Sequence, residues 1–240
     1  MSNGVIYSCV GGIRFLQEAI ESAKSVKKLS PSLKISLFHG YSSIELKKKD
    51  LSVFDDIKKI VIDDNLPSRF SGNMKGFLSK LSAIKNTPYD NTLFLDTDTI
   101  LCKPIHSLFK LLDKFDIAIA PGPMTQRPTN DADVLSELPM EFPELNTGVI
   151  LYRNNQKMKL FIREWEDTFL NNKKGLYRQH GKGGEQVSLR YLLWANEQIR
   201  MYILSTQGMP NMFNFRWGPK SKEFNFKNQI VIHHTRIRQE

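Results

Sequence analysis

Short apolar runs alternate with stretches of helical periodicity along most of this chain, and that alternation constrains its fold most. Helices are predicted over residues 13–26, 74–85, about 156–170 and about 184–195, where apolar residues recur every three or four positions. The runs between them predict strands at Gly4–Val10, Lys34–Phe38, Lys58–Ile62, Thr92–Leu95, Asp116–Ala120, Thr147–Tyr152, Tyr202–Leu204 and Gln229–Ile232. Strands that alternate with helices are typical of an α/β domain, and we expect a single domain over residues 1–240.

The bulk properties narrow the class of protein. No apolar run approaches about 18 residues, so no transmembrane helix is expected. The N-terminus lacks the basic and apolar regions of a signal peptide. The two cysteines, Cys9 and Cys102, make no disulfide framework. Together these features predict a cytoplasmic protein with reduced thiols.

The net charge of +9 indicates a basic surface. Such a surface can meet nucleic acid, anionic lipid or an anionic acceptor, or it can simply keep the protein soluble. The clusters Lys47–Lys49 and Lys58–Lys59 have no interleaved aromatic residues, so no nucleic-acid partner is expected. Arg236 and Arg238 leave peripheral contact with a membrane surface open.

The sharpest local signal is Asp96-Thr97-Asp98, which follows the apolar run Leu93–Leu95. In open α/β sheets, ligands bind at the carboxyl ends of the strands. Two carboxylates this close repel each other unless a cation joins them, and Mn²⁺ or Mg²⁺ would also neutralise a diphosphate. The alternative is a solvated turn with two capping aspartates, and the segment alone leaves both interpretations open.

Other segments carry weaker signals. Lys80 lies on the core-facing side of its predicted helix, so it must either extend to solvent or meet an anion such as a donor phosphate. Asn146-Thr147-Gly148 opens a predicted strand, where it forms either a plain turn or a set of hydrogen-bonding groups for a sugar.

Two later segments are equally ambiguous. Glycines at 183 and 184 permit close backbone approach ahead of Glu185 and Gln186, which otherwise make an ordinary acidic helix start. His233 ends an apolar strand and is either structural or a ligand. Between Pro121 and Pro143 the chain carries five prolines, which predict a surface excursion that acts as a lid or an acceptor-binding segment.

Taken together and in this order, these segments resemble glycosyltransferase family 8, the glycogenin-like group of the GT-A fold. The matching segments are Leu78-Ser79-Lys80-Leu81 ahead of Asp96-Thr97-Asp98, then Leu145-Asn146-Thr147-Gly148-Val149, Gly183-Gly184-Glu185-Gln186 and Val231-Ile232-His233. The resemblance implies a single GT-A (Rossmann-like) α/β domain with a central mixed, mostly parallel sheet flanked by helices. Residues 1–120 would mainly bind nucleotide, and residues 121–240 would mainly bind sugar and acceptor.

The resemblance also implies a role for each matching position. A metal-dependent transferase would move a sugar from a nucleotide-diphosphate donor, taken to be a UDP-sugar, to a hydroxyl group of a carbohydrate acceptor. Mn²⁺ (or Mg²⁺) would be held by Asp96, Asp98 and His233. The catalytic residues facing the transferred sugar would be Glu185 and Gln186. The donor would be bound by Tyr7, Ser8, Cys9, Lys80, Asp96, Thr97, Asn146, Thr147 and Gly148.

Two departures from the family pattern keep the assignment open. Glu185 stands where the family usually has Asp, and the chain lacks the Lys-Pro-Trp that follows the metal histidine. Arg236 or Arg238 would have to replace that lysine at the diphosphate. A neighbouring GT-A family and either stereochemical outcome therefore remain open. If the configuration inverts, Glu185 is the first candidate base, and Asp131 and Asp133 are weaker candidates.

Three rival functions fit parts of the pattern. A haloacid-dehalogenase-type phosphatase also places Asp-x-Asp after an apolar strand, but near the N-terminus and with a later acidic pair, which this chain does not match. A basic module that binds carbohydrate or nucleic acid is the second. A GT-A fold that has lost its activity is the third, and the two departures favour it over the other rivals.

Overall fold

The computed structural model of the chain describes residues 1–60, 73–121, 138–139, 141–143, 145–171, 185–205, 213–216 and 231–234. Within those residues it has ten strands, five α-helices and one 3-10 helix. The strands are β1 (Asn3–Cys9), β2 (Lys34–His39), β3 (Asp56–Lys59), β4 (Asn91–Leu95), β5 (Thr99–Leu101), β6 (Ile117–Pro121), β7 (Leu145–Arg153), β8 (Met201–Ile203), β9 (Phe215–Arg216) and β10 (Ile232–His234). The helices are α1 (Ile13–Leu29), α2 (Ser43–Lys47), α3 (Asn73–Lys85), α4 (Gln156–Asn171), α5 (Glu185–Ala195) and the 3-10 helix (His106–Asp113).

A seven-stranded sheet in the order β3-β2-β1-β4-β7-β6-β8 forms the centre of the fold. β7 is antiparallel to both of its neighbours, β4 and β6, whereas the other neighbouring pairs are parallel. The amino end of β7 therefore lies at the same edge as the carboxyl ends of β1 to β4. Because ligands of open α/β sheets bind at that edge, the reversed strand brings a second polar segment to it.

Two apolar layers cover the faces of this sheet. α1 and the 3-10 helix pack on one face, and α3, α4 and α5 pack on the other. α1 buries Leu16, Ile20 and Ala23, which recur every three or four residues. On the opposite face Trp165 of α4 is fully buried, and its indole N–H donates to the backbone carbonyl of Glu185 at 2.9 Å. That bond ties the start of α5 to α4.

A smaller sheet follows the Asp96-Thr97-Asp98 segment directly. It has the order β5-β10-β9, with β10 antiparallel to β5 and parallel to β9. The pairing sets His233 opposite Ile100 and His234 opposite Thr99. The strand that carries His233 is thus hydrogen-bonded to the strand that begins one residue after Asp98.

The predicted α/β fold with a mixed, mostly parallel sheet is confirmed. The predicted strand at 58–62 ends earlier, at Lys59, and residues 61–62 lie outside the described part of the chain. The predicted strand at 229–232 was placed too early, since the observed strand runs over Ile232–His234, and residues 229–230 lie outside the described part. Most of the proline-rich excursion also lies outside it, and the single domain over residues 1–240 stays a prediction.

Four short elements were missed from the sequence: α2, β5, the 3-10 helix and β9. α2 has five residues, too few for periodicity, and it begins with a capping box between Ser42 and Glu45. β5 and β9 exist because they pair with β10, which is distant in the chain. Local patterns carry no signal of such pairing.

Gly4 provides a test of the packing at the centre of the sheet. The ring of Tyr89 lies over β1, and a Cβ added at Gly4 would stand 2.3 Å from Tyr89 Cδ2. We expect Gly4→Ala to lower the free energy of unfolding by about 1–3 kcal/mol, because a packed ring must move. Urea denaturation measures the change. Gly12→Ala is the control, since its added Cβ would meet nothing nearer than 3.9 Å; equal losses in the two variants would contradict the packing argument.

Candidate active site

A cleft of about 910 Å³ opens at the carboxyl ends of β1 to β4. Its walls come from the loop after β1, the ends of β2 and β3, the amino-terminal half of α3, and the segment after β4. Three lysines and two aspartates lie among its lining residues, which places cationic and anionic groups side by side. These charged residues are Lys59, Lys75, Lys80, Asp96 and Asp98.

The Asp96-Thr97-Asp98 turn is fixed by its backbone. Asp96 N donates to Gly148 O at 2.8 Å, which continues the pairing of β4 with β7 by one residue. Thr99 Oγ1 donates to Asp96 O at 2.8 Å, and Thr97 Oγ1 donates to Glu18 Oε2 at 3.1 Å. Both aspartates are half-buried and line the cleft. The turn is therefore held by threonines and backbone, and its carboxylates face the cleft.

Lys80 joins the segments of the site. Its Nζ lies 2.9 Å from Asp96 Oδ1 and 3.0 Å from Glu185 Oε1, and it donates to Thr147 Oγ1 at 3.1 Å. The side chain is 10% exposed, so it does not extend to solvent. One ammonium group thereby links α3, the end of β4, the start of β7 and the start of α5.

The surroundings keep Lys80 charged. Burial by itself lowers the pKa of Lys80, but the neighbouring charges of Asp96 and Glu185 outweigh it, and the pKa lies above its ordinary value. The ammonium also lies 5.3 Å from the centre of the Phe94 ring, within the range of a cation–π contact. A permanently protonated lysine is suited to holding anions and unsuited to removing a proton.

Asn146, Thr147 and Gly148 lie beside Lys80 at an irregular part of the sheet. Ile119 pairs with Ile150, whereas the next residue, Ala120, pairs with Asn146, so part of β7 has no partner in β6. Such an interruption bends a strand and redirects side chains. Asn146 Oδ1 accepts from Gly148 N at 2.9 Å, and Asn146 Nδ2 donates to Gln186 Oε1 at 3.5 Å.

Glu185 is fully buried at the first turn of α5. Thr147 Oγ1 donates to its Oε1 at 2.5 Å, so this oxygen is shared between Thr147 and Lys80. Its Oε2 has no hydrogen-bond partner within the described part of the chain. A buried acceptor without a partner costs free energy. We therefore interpret Glu185 as a residue of the functional site and not as a structural residue of the core.

The three residues predicted at the end of β1 lie on different faces of the sheet. Ser8 lines the cleft, and its Oγ donates to Ser79 Oγ at 3.0 Å. Tyr7 and Cys9 point to the opposite face and are buried beneath α1, where burial raises the pKa of each group. The Tyr7 hydroxyl hydrogen-bonds Ser22 at 2.8 Å, and Ser22 hydrogen-bonds Thr99 at 3.0 Å, so Tyr7 supports the turn that carries Asp96 and Asp98 from behind.

The predicted metal site is described in part. Asp96 and Asp98 both line the cleft, and the described side chains include no group of three His, Cys, Asp or Glu residues that could hold a metal ion. The His233 side chain lies outside the described part, although its backbone pairs with β5 directly after Asp98. Two carboxylates at a cleft fit a hard divalent cation, which prefers oxygen ligands.

Asn214 was missed from the sequence. It is buried, and its Nδ2 donates to Asn146 Oδ1 at 2.6 Å. A single asparagine between aromatic residues gives no signal of that contact. Gly183, Gly184, Asp131, Asp133, Arg236 and Arg238 lie outside the described residues.

The architecture is that of the GT-A glycosyltransferases. The galactosyltransferase LgtC in complex with donor and acceptor sugar analogs superposes with a TM-score of 0.64 at 14% identity, over 96% of this chain and 86% of that one. Apo mouse xyloside xylosyltransferase 1 gives a TM-score of 0.62 at 14% identity, over 100% and 99%. The apo glycosyltransferase GlyE of Streptococcus pneumoniae gives a TM-score of 0.60 at 17% identity, over 98% of this chain and 54% of that one.

Residues 90–239, well over half of the chain, match the family model described as nucleotide-diphospho-sugar transferase. The chain belongs to this family. No match is found among curated proteins. Among the described residues, no helix is both long enough and apolar enough to cross a membrane.

The ion pairs of Lys80 predict a stability effect. Lys80→Met keeps the length of the side chain but leaves Glu185 charged and buried, so we expect a loss of about 3–5 kcal/mol in the free energy of unfolding. The double variant Lys80→Met/Glu185→Gln should recover much of that loss, because no fully buried charge remains. Urea denaturation of the wild type, the single variant and the double variant measures both effects. A loss below about 1 kcal/mol for Lys80→Met would mean that the ammonium does not hold the site together.

Proposed function

We propose that the chain transfers a sugar from a UDP-sugar to a hydroxyl group of a carbohydrate acceptor, with a divalent cation as cofactor, and that it is a glycogenin-like member of glycosyltransferase family 8. One observation carries the proposal: Lys80 binds Asp96, Glu185 and Thr147 at once. Three segments that the family resemblance assigns to metal, sugar and catalysis therefore converge on one atom.

The charges in the cleft suit a nucleoside diphosphate. Lys59, Lys75 and Lys80 line it together with Asp96 and Asp98. Asp96, Asp98 and His233 would hold Mn²⁺ or Mg²⁺, which when bound would neutralise charge on the leaving diphosphate. Ser8, Val10 and Gly11 lie in the same cleft and would contact the nucleoside. Any contact from Tyr7 or Cys9 would come from the backbone, because both side chains lie on the opposite face of the sheet.

The chain's own residues supply the remaining chemistry. Lys80 fixes the Asp96 carboxylate and stays protonated, so it would stabilise the negative charge that develops on the departing diphosphate. Asn146, Thr147 and Gly148 would bind the sugar, and Thr97 would help to hold the turn at the donor. Glu185 and Gln186 begin α5 beside them and would face the anomeric carbon.

The stereochemical outcome decides the role of Glu185. If configuration is retained, the acceptor hydroxyl attacks from the face that the diphosphate leaves, and Glu185 or Gln186 stabilises the oxocarbenium-like transition state. If configuration is inverted, a carboxylate must remove the proton of the acceptor hydroxyl on the opposite face, and Glu185 is the first candidate. Product analysis by proton NMR of the anomeric centre separates the two outcomes.

Asp98 provides the functional test. Asp98→Ala should abolish metal-dependent turnover of UDP-sugars and the thermal shift that UDP and Mn²⁺ produce together, because the cation loses a carboxylate ligand. Turnover is measured as release of UDP from a panel of nucleotide sugars. Asp113→Ala, at an exposed aspartate of the 3-10 helix, is the matched control and should behave as wild type. Wild-type turnover in Asp98→Ala would refute the metal site, and thermal shifts without turnover by the wild type would indicate an inactive GT-A fold.

Gly76 provides a second test, on the wall of the cleft. It lies within α3, and a Cβ added there would meet nothing within 4 Å. Since glycine inside a helix is less stable than alanine, Gly76→Ala should raise the free energy of unfolding by about 0.5–1 kcal/mol. The same methyl group would project into the donor cleft, so UDP should bind more weakly in the presence of Mn²⁺, as measured by calorimetry. Unchanged UDP affinity in this stabilised variant would place the nucleotide elsewhere.

A further inference from the structure

Asn214 has a backbone conformation that residues other than glycine seldom adopt. Its φ is 54°, and it is the one non-glycine residue with a positive φ among the described residues. A side chain at such a φ is strained, although asparagine tolerates it better than most residues. Strained backbone persists where surrounding contacts hold it, and it is concentrated at functional sites.

The side chain of Asn214 meets the proposed sugar pocket. It is 4% exposed, and its Nδ2 donates to Asn146 Oδ1 at 2.6 Å. That same oxygen accepts from Gly148 N at 2.9 Å, so both of its acceptor positions are occupied. The Asn146 carboxamide is thereby held in one orientation, with its Nδ2 directed to Gln186 Oε1.

The side-chain oxygen of Asn214 adds a second unfavourable contribution to the free energy of folding. Asn214 Oδ1 is buried and has no hydrogen-bond partner within the described part of the chain. A residue that served stability alone would be expected to have neither a left-handed backbone nor an unpaired buried carbonyl. Both costs occur at the residue that fixes Asn146.

We infer that Asn214 is a positioning residue of the active site, which holds the Asn146 carboxamide so that Gln186 and the transferred sugar meet it in one geometry. That a sugar binds here rests on the proposed function. That Asn214 positions Asn146 rests on the observed hydrogen bonds alone. Asn214 precedes β9, which pairs with β10, so the same short segment also connects the strand carrying His233 to the sugar side of the site.

The test separates the side chain from the backbone. Glycine adopts a positive φ without strain, so Asn214→Gly removes the carboxamide alone, whereas Asn214→Ala removes it and adds strain. Asn214→Asp keeps the shape but cannot donate to Asn146 Oδ1. Asn86→Gly is the control, because it removes a carboxamide bonded at 2.8 Å to Ser82 O outside the site.

We expect all three Asn214 variants to lose kcat by about tenfold to a hundredfold, since misplacement of about 1 Å is enough for such a loss. UDP affinity with Mn²⁺ should change less than threefold, about 0.7 kcal/mol, because neither Asn146 nor Asn214 is among the residues that line the cleft. Asn214→Ala should melt below Asn214→Gly. Losses of kcat that follow melting temperature from one variant to the next would show a purely structural role and overturn the inference.

A second measurement of the positioning contact does not depend on enzymatic activity. In ¹⁵N spectra the Gly148 amide and the Asn146 side-chain amide should shift in Asn214→Gly and stay in place in Asn86→Gly. If they do not shift, Asn214 does not position Asn146 and the inference is wrong, whatever the reaction. If they shift while the wild type releases UDP from no nucleotide sugar, the proposed function fails and the positioning contact stands.

Discussion

The ammonium of Lys80, set between two carboxylates, is the interaction on which the rest of the site depends. It holds Asp96 at 2.9 Å and Glu185 at 3.0 Å, and Glu185 is fully buried. Burying such charges is costly unless each is paired. The pairing therefore makes the positions of α3, β4, β7 and α5 mutually dependent. Removing the charge of Lys80, Asp96 or Glu185 therefore changes the electrostatic environment of the other two.

The reversed strand β7 is what allows this arrangement. Had β7 run parallel to β4, its amino end with Asn146-Thr147-Gly148 would lie at the opposite edge of the sheet, away from Asp96. Its antiparallel pairing instead gives the bond from Asp96 N to Gly148 O. The interruption of its pairing with β6 leaves part of this segment without a strand partner on that side, and Thr147 hydrogen-bonds Lys80 there. The site is thus produced by topology as much as by residue type.

The sequence predicts the α/β class, most strands and the edge of the sheet where polar residues gather, because these follow from local periodicity. It leaves Lys80 undecided between solvent and a ligand phosphate, and the structure shows ion pairs with two protein carboxylates that are distant in the chain. Side chains alternate between the two faces of the sheet along β1, so Ser8 points to one face and Tyr7 and Cys9 to the other. A resemblance carried over position by position does not take this alternation into account. The sequence does not predict Asn214 as a site residue, because a left-handed backbone at an asparagine depends on tertiary contacts.

The central claim is that the ligands bind where Lys80 joins α3, β4, β7 and α5. Hydrogen exchange of the wild-type protein, with and without UDP and Mn²⁺, tests this claim most directly. UDP and Mn²⁺ together should slow amide exchange in α3, in the segment after β4 and at the start of β7, because the first two line the cleft and the third is hydrogen-bonded to Lys80. Exchange in β6, β8 and the 3-10 helix should stay unchanged. Slower exchange confined to β6, β8 and the 3-10 helix, or no change on adding both ligands, would contradict the claim.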